Sequence, residues 1–103
     1  MNGLEIHNLT DKIQPPAQGM IHRLVFQDDQ VKVIGFGFAA EHILNKHTAP
    51  RPVMLTFISG EATVEVGEET TSASAGTWIH IPADVPHSIH ATKPVVMLLV
   101  MLK

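Results

Sequence analysis

Seven histidines in 103 residues, with no cysteine and no tyrosine, set the chemistry available to this chain. Imidazole is the commonest metal ligand and titrates near neutrality, so the placement of these rings is the first thing to resolve. His7 and His22 share no spacing with other polar groups and read as surface residues. His80 lies between Ile79 and Ile81, and the sequence leaves open which side of the strand it takes. Strand side chains alternate faces, so His87 and Ile89 share one face while His90 takes the other and meets solvent. His42 and His47, five residues apart, fall on opposite faces of a regular strand. A kink near Asn45-Lys46 would undo that and bring His42 in as a further nitrogen. The absence of cysteine excludes disulfides, thiolate catalysis and Cys-ligated zinc. Ser59, Ser72, Ser74 and Ser88 sit in no nucleophile elbow. Glu61, Glu65, Glu68 and Glu69 read as solvated hairpin charges.

The elements that must hold these rings read as short strands. Val31 to Phe38 alternates with an irregularity at Gly35 that suggests a bulge. Val53 to Ile58 is apolar apart from Thr56 and stops at Ser59-Gly60. Ala62 to Val66 and Thr70 to Ala75 flank the turn Gly67-Glu68-Glu69. Trp78 to Ile81 stops at Pro82, and His87 to Ala91 and Val95 to Leu102 follow. Ala39 to Lys46 is the one helical candidate; it is short and uncapped, and it reads as strand and loop. Turn-marked strands at roughly 8–12-residue intervals predict an all-β antiparallel sandwich or barrel. Residues 1–19 read as an N-terminal arm in which Leu4 and Ile6 make a short strand, and residues 20–103 as one barrel domain.

The charge balance narrows the partners. Seven Lys and Arg against ten Asp and Glu leave a net charge of −3, which gives no basic excess for a phosphate backbone, so nucleic acid is not expected. The longest apolar run, Val95 to Leu102, is too short to cross a bilayer. The start Met1-Asn2-Gly3-Leu4-Glu5 has no basic stretch before an apolar one, so a signal peptide is not expected and a cytoplasmic, soluble protein is.

Two segments carry a resemblance. Gly76-Thr77-Trp78-Ile79-His80-Ile81-Pro82-Ala83-Asp84-Val85-Pro86-His87 resembles the second motif of the cupins, with Asp84 in its second Gly slot and Ala91 in its later Asn slot. Asp tolerates left-handed backbone better than most residues, so that departure is mild. Glu41 to Gly60 follows the spacing of the first motif, with Glu41 in the first Gly slot, His47 in the first His slot and Gly60 in the last. Ala49 stands in the second His slot and Val53 in the Glu slot. The resemblance covers roughly Val31 to Leu102 and implies an antiparallel jelly-roll, or double-stranded β-helix, barrel. It implies that two of the family's four usual metal ligands are present, His47 and His87; the kink near Asn45-Lys46, read from alternation, adds His42 as a candidate third.

The cofactor so implied is a divalent transition metal: iron, manganese, nickel, copper or zinc. Ala49 and Val53 make the pocket less polar, and an apolar pocket with few convergent polar groups suits a small organic ligand. The leading expectation is a binding module for sensing or storage, acting on a small molecule through His47 and His87. A metal-dependent oxygenase, isomerase or lyase is the second reading, and a jelly roll that has lost its chemistry the third. A homodimer is expected, because sheet edges need cover and both the Leu4 to Ile6 strand and Val95 to Leu102 can supply it.

Overall fold

A computed structural model describes residues 3–103; Met1 and Asn2, with which the expected arm begins, lie outside the described residues. The strands are β1 (Met20–Gln27), β2 (Val31–Phe38), β3 (Ile43–His47), β4 (Val53–Ser59), β5 (Glu61–Val66), β6 (Glu69–Ser74), β7 (Trp78–Ile81), β8 (His87–Ala91) and β9 (Val95–Leu102). They form a five-stranded sheet in the order β1-β2-β9-β4-β7 and a four-stranded sheet in the order β3-β8-β5-β6. Every pairing is antiparallel. The expected jelly roll is therefore present. Among the described residues, no helix is long and apolar enough to cross a membrane.

The core lies between the sheets and follows from alternation. Val53, Leu55 and Phe57 of β4 point inward, each at most 2% exposed, with Met97 of β9 and Ile81 of β7 as neighbours. Val64 of β5 and Ile89 and Ala91 of β8 close the core from the other sheet. Burying side chains of this size contributes roughly 1.5–3 kcal/mol each. The opposite face of β4 and β7 carries Met54, Thr56, Trp78 and His80, which settles the side His80 takes: it points out of the barrel and stacks on Trp78.

The arm differs from the expected strand. Leu4 and Ile6 belong to no strand and are 70% and 83% exposed. A short helix α1 (Leu9–Lys12) follows them, started by the Asn8 side chain, which accepts from the Asp11 amide. An Asn cap satisfies one of the free amides of a first turn, and that local bond wins over the alternation of two apolar residues. Directly after α1, Ile13 is 1% exposed.

Ile13 explains Gly35. A methyl built at Gly35 would overlap Ile13 Cδ1, and one at Gly37 would stand 3.3 Å from Ile13 Cγ2. The two glycines form a notch into which the arm plugs. The bulge expected at Gly35 is absent: β2 pairs with β9 without a break, and the irregularity lies across the ladder in β1, between Leu24 and Phe26. A strand glycine marks either a bulge or a close approach, and here it is the close approach.

Candidate functional site

β3 and β8 bring the two resemblance-implied histidines together. Register pairs Ile43 with His90 and Leu44 with Ile89, and then His47 with His87. Three residues on β3 thus match two on β8, so one extra residue is accommodated at Asn45-Lys46. This bulge turns His47 to the face that carries His87 and Ile89. His47 ends its strand; it does not lead directly into β4, since a loop from residue 48 to residue 52 intervenes. His87 opens β8, as expected. Because β3 and β8 are antiparallel, the end of one lies beside the start of the other.

The ring centroids of His47 and His87 are 4.3 Å apart, with planes inclined by 60°. His87 is 4% exposed, while His47 is exposed at the rim. His47 Nδ1 lies 2.9 Å from the carbonyl oxygen of Asn45, and His87 Nδ1 lies 2.9 Å from that of Val85. A carbonyl only accepts, so Nδ1 is the protonated nitrogen in both rings and Nε2 carries the lone pair. Among the described residues, no buried side-chain nitrogen or oxygen lacks a partner, so His87 Nε2 is not sealed off. These two carbonyls were not singled out by sequence reasoning; their signal is the shared offset of two residues, which shows only once the chain turns are known.

Burial pushes the His87 imidazole below its ordinary range. The Val85 carbonyl pulls the other way, and the neighbouring His47 adds to the depression. His87 is therefore neutral at pH 7 and presents a lone pair.

The remaining histidines lie elsewhere. His42 hydrogen-bonds through its carbonyl to the Ala91 amide at 3.0 Å and stacks its ring on Phe38 at 5.6 Å. Ala91 is four residues along β8 from His87, roughly 13 Å at the strand rise. The kink at Asn45-Lys46 exists, but His42 does not join the pair. His90 faces outward, 3.3 Å from Glu41. His7 pairs with Glu5 at 3.2 Å, and His22 stands 6.0 Å from the Phe36 ring.

Among the described residues, no group of three or more His, Asp or Glu side chains is placed to hold a metal ion. The two tautomer-fixed imidazoles fit two positions of a zinc-, copper- or nickel-type shell. Held metals usually take three or four protein donors, so the rest of such a shell must come from water or a ligand. Val53, in the slot where the resemblance implies a carboxylate, is 2% exposed and packed in the apolar core. Ala49, in the slot of the second histidine, packs on that same core.

The backbone supports the placement of both motifs. Glu41 and Asp84, which occupy their Gly slots, are the two non-glycine residues with positive φ among the described residues, at 69° and 65°. Comparison with known proteins agrees. The Cupin domain family matches residues 38–101. No curated protein matches the chain. A conserved protein of unknown function from Streptococcus pyogenes is 26% identical, covering 100% of this chain and 90% of its own, with a TM-score of 0.88. An RmlC-like cupin from Desulfovibrio desulfuricans is 22% identical over 96% of each chain, with a TM-score of 0.85. A cupin superfamily protein from Desulfitobacterium hafniense is 19% identical, covering 91% of this chain and 86% of its own, also at 0.85.

Proposed function

The chain belongs to the cupin family, and on that premise we propose that it is a binding module whose site is the His47–His87 pair. The pair holds a small organic ligand at the barrel mouth, bound together with a divalent transition metal, for sensing or storage. The observation that carries this reading is the matched arrangement of the two rings: both Nδ1 atoms bonded to carbonyls, at 2.9 Å each, and both Nε2 atoms left as donors. A bound cation would supply Lewis acidity and a charge for an anionic ligand to meet. The chain's own part is to fix both tautomers and to keep His87 neutral. Ala49 and Val53, in the slots where the resemblance implies polar ligands, belong to the apolar packing of the barrel, which supports a ligand with an organic part over a bare ion.

The test is metal titration of tag-free protein. Wild type is expected to take up one equivalent of zinc or nickel more tightly in the presence of a dicarboxylate such as oxalate. His47→Ala and His87→Ala should each abolish that enhancement. Uptake that survives both substitutions overturns the proposal.

The proposed assembly is a homodimer. The outward face of the larger sheet supports it, with Trp78 57% and Leu102 45% exposed. Light scattering that reports a monomer at micromolar concentration would refute it.

A further inference from the structure

Four short connections, residues 39–42, 60, 75–77 and 92–94, each carry the chain from one sheet to the other. They lay β2 over β3, β9 over β8, β4 over β5 and β7 over β6, and they close one end of the barrel. The other end is the mouth, where β3 finishes at His47 and β8 begins at His87. β2 begins there too. Register sets Lys32 beside Met101 and Met101 beside Val53, so the three share the inward face of the larger sheet.

Depth along the barrel agrees. The Phe38 and His42 rings stack at 5.6 Å next to the closed end. From there Lys32 lies six residues back along β2 and His47 five residues on through β3, roughly 20 and 16 Å at the strand rise. Lys32 therefore stands on the strand that faces the strand of His47, near the same level, across a gap of about 10 Å between sheets.

A charge on an inward-facing row needs a partner. Lys32 is half-buried and enters no ion pair among the described residues. Of the two acids in the turn before β2, Asp28 accepts from the Gln30 and Val31 amides at 2.8 and 2.9 Å and has Lys103 as its neighbouring cation. Asp29 is exposed and enters no ion pair among the described residues. Glu69, which register also turns inward, sits at the opposite corner of the mouth, three strands from His47 and about 14 Å away along the sheet. Lys32 lines an open cavity with Gln27 and Ile34, so solvent reaches its ammonium.

We propose that Lys32 sets the charge selectivity of the His47–His87 site by holding the far carboxylate of a ligand whose near end is chelated at the pair. The inference rests on the reading of that pair as a metal-and-ligand site. The ligand class is a short dicarboxylic acid, with a chelating group at one end and a second carboxylate within about 10 Å. A lysine ammonium is a point charge on a flexible stem, suited to a carboxylate whose position shifts with the length of the ligand. Met101, next to Lys32 on its row, gives the aliphatic carbons an apolar surface.

The test is calorimetry of the full-length, zinc-loaded protein with 2-hydroxyglutarate and with 2-hydroxypentanoate, in which a methyl group replaces the far carboxylate. Wild type is expected to bind the diacid about tenfold more tightly. Lys32→Met, which keeps an aliphatic stem at a half-buried position, should equalise the two acids while zinc affinity and melting temperature stay unchanged. Lys32→Arg should keep the preference. So should Lys93→Met, which removes a lysine paired with Glu61 at the closed end. Equal binding of the two acids by wild type, or a preference that survives Lys32→Met, overturns the inference and leaves the reading of the pair intact. Loss of the preference in Lys93→Met also overturns it, the discrimination then being one of net charge. Wild type that takes up no zinc, or uptake that survives both His47→Ala and His87→Ala, overturns the reading of the pair and this inference with it.

Discussion

His47 and His87 face one another across the β3–β8 ladder with centroids 4.3 Å apart, each ring held by a carbonyl two residues before it in the chain. Groups so placed act as one unit. His47→Ala and His87→Ala should each remove most of the metal-dependent ligand affinity, and the double variant should lose little more. A double-mutant cycle is expected to show about 1–3 kcal/mol of coupling. His90→Ala, on the outer face beside Glu41, should leave binding unchanged. Additive losses would show that the two rings serve different sites.

Acid should weaken the fold through His87. Its folded pKa lies below the ordinary 6.5, chiefly because burial disfavours the imidazolium. Between the two values the unfolded chain binds more protons than the folded one. Stability from this group is thus full above 6.5, falls as the pH drops, and is lost once the pH passes the folded value. Urea midpoints measured from pH 8 to pH 5 should decline, and His87→Gln should flatten that decline. An identical pH profile in the variant would remove His87 as the cause.

Val53→Glu tests the missing carboxylate. Val53 is 2% exposed, so a glutamate there should destabilise the metal-free protein by roughly 2–4 kcal/mol, the penalty for a poorly satisfied buried polar group. Added zinc should return much of that stability and bind more tightly than to wild type. A zinc-independent melting temperature would show that position 53 does not reach the pair.

The barrel was legible from its punctuation. Strands bounded by Gly67, Gly76, Pro82 and Ser59-Gly60 fall where the turns predict. Glu41 and Asp84 take the left-handed backbone of their glycine slots, which the motif spacing alone had marked. The His47–His87 pairing was legible only through that spacing. Alternation by itself sets His47 and His42 apart, and the residue count of a bulge is a tertiary property. The arm was not legible. Asn8 overrides the Leu4 to Ile6 alternation locally, and the partner of Ile13 lies more than twenty residues away at Gly35.

That last contact makes its own prediction. Gly35→Ala should destabilise by about 1–3 kcal/mol, because the new methyl overlaps Ile13 Cδ1 in a filled notch. Ile13→Ala alone should cost about 2–5 kcal/mol by opening a cavity. In the double variant, Gly35→Ala should do little further harm, since the atom it strikes is gone. Chemical denaturation of the three variants reads this directly, and a full additive loss would place the strain elsewhere.

The extra residue at Asn45-Lys46 gives the site an unusual dependence on chain length. Side-chain identity does not decide whether His47 reaches His87; parity does. Deleting both Asn45 and Lys46 would leave all seven histidines in the chain, yet it would set His47 directly after inward-facing Leu44 and swing its ring to the outside. Deleting Asn45 alone would remove the bulge and keep His47 inward. Insertions and deletions in this short strand therefore act as an on-off switch for the pocket, one that a search for substituted ligands would never detect.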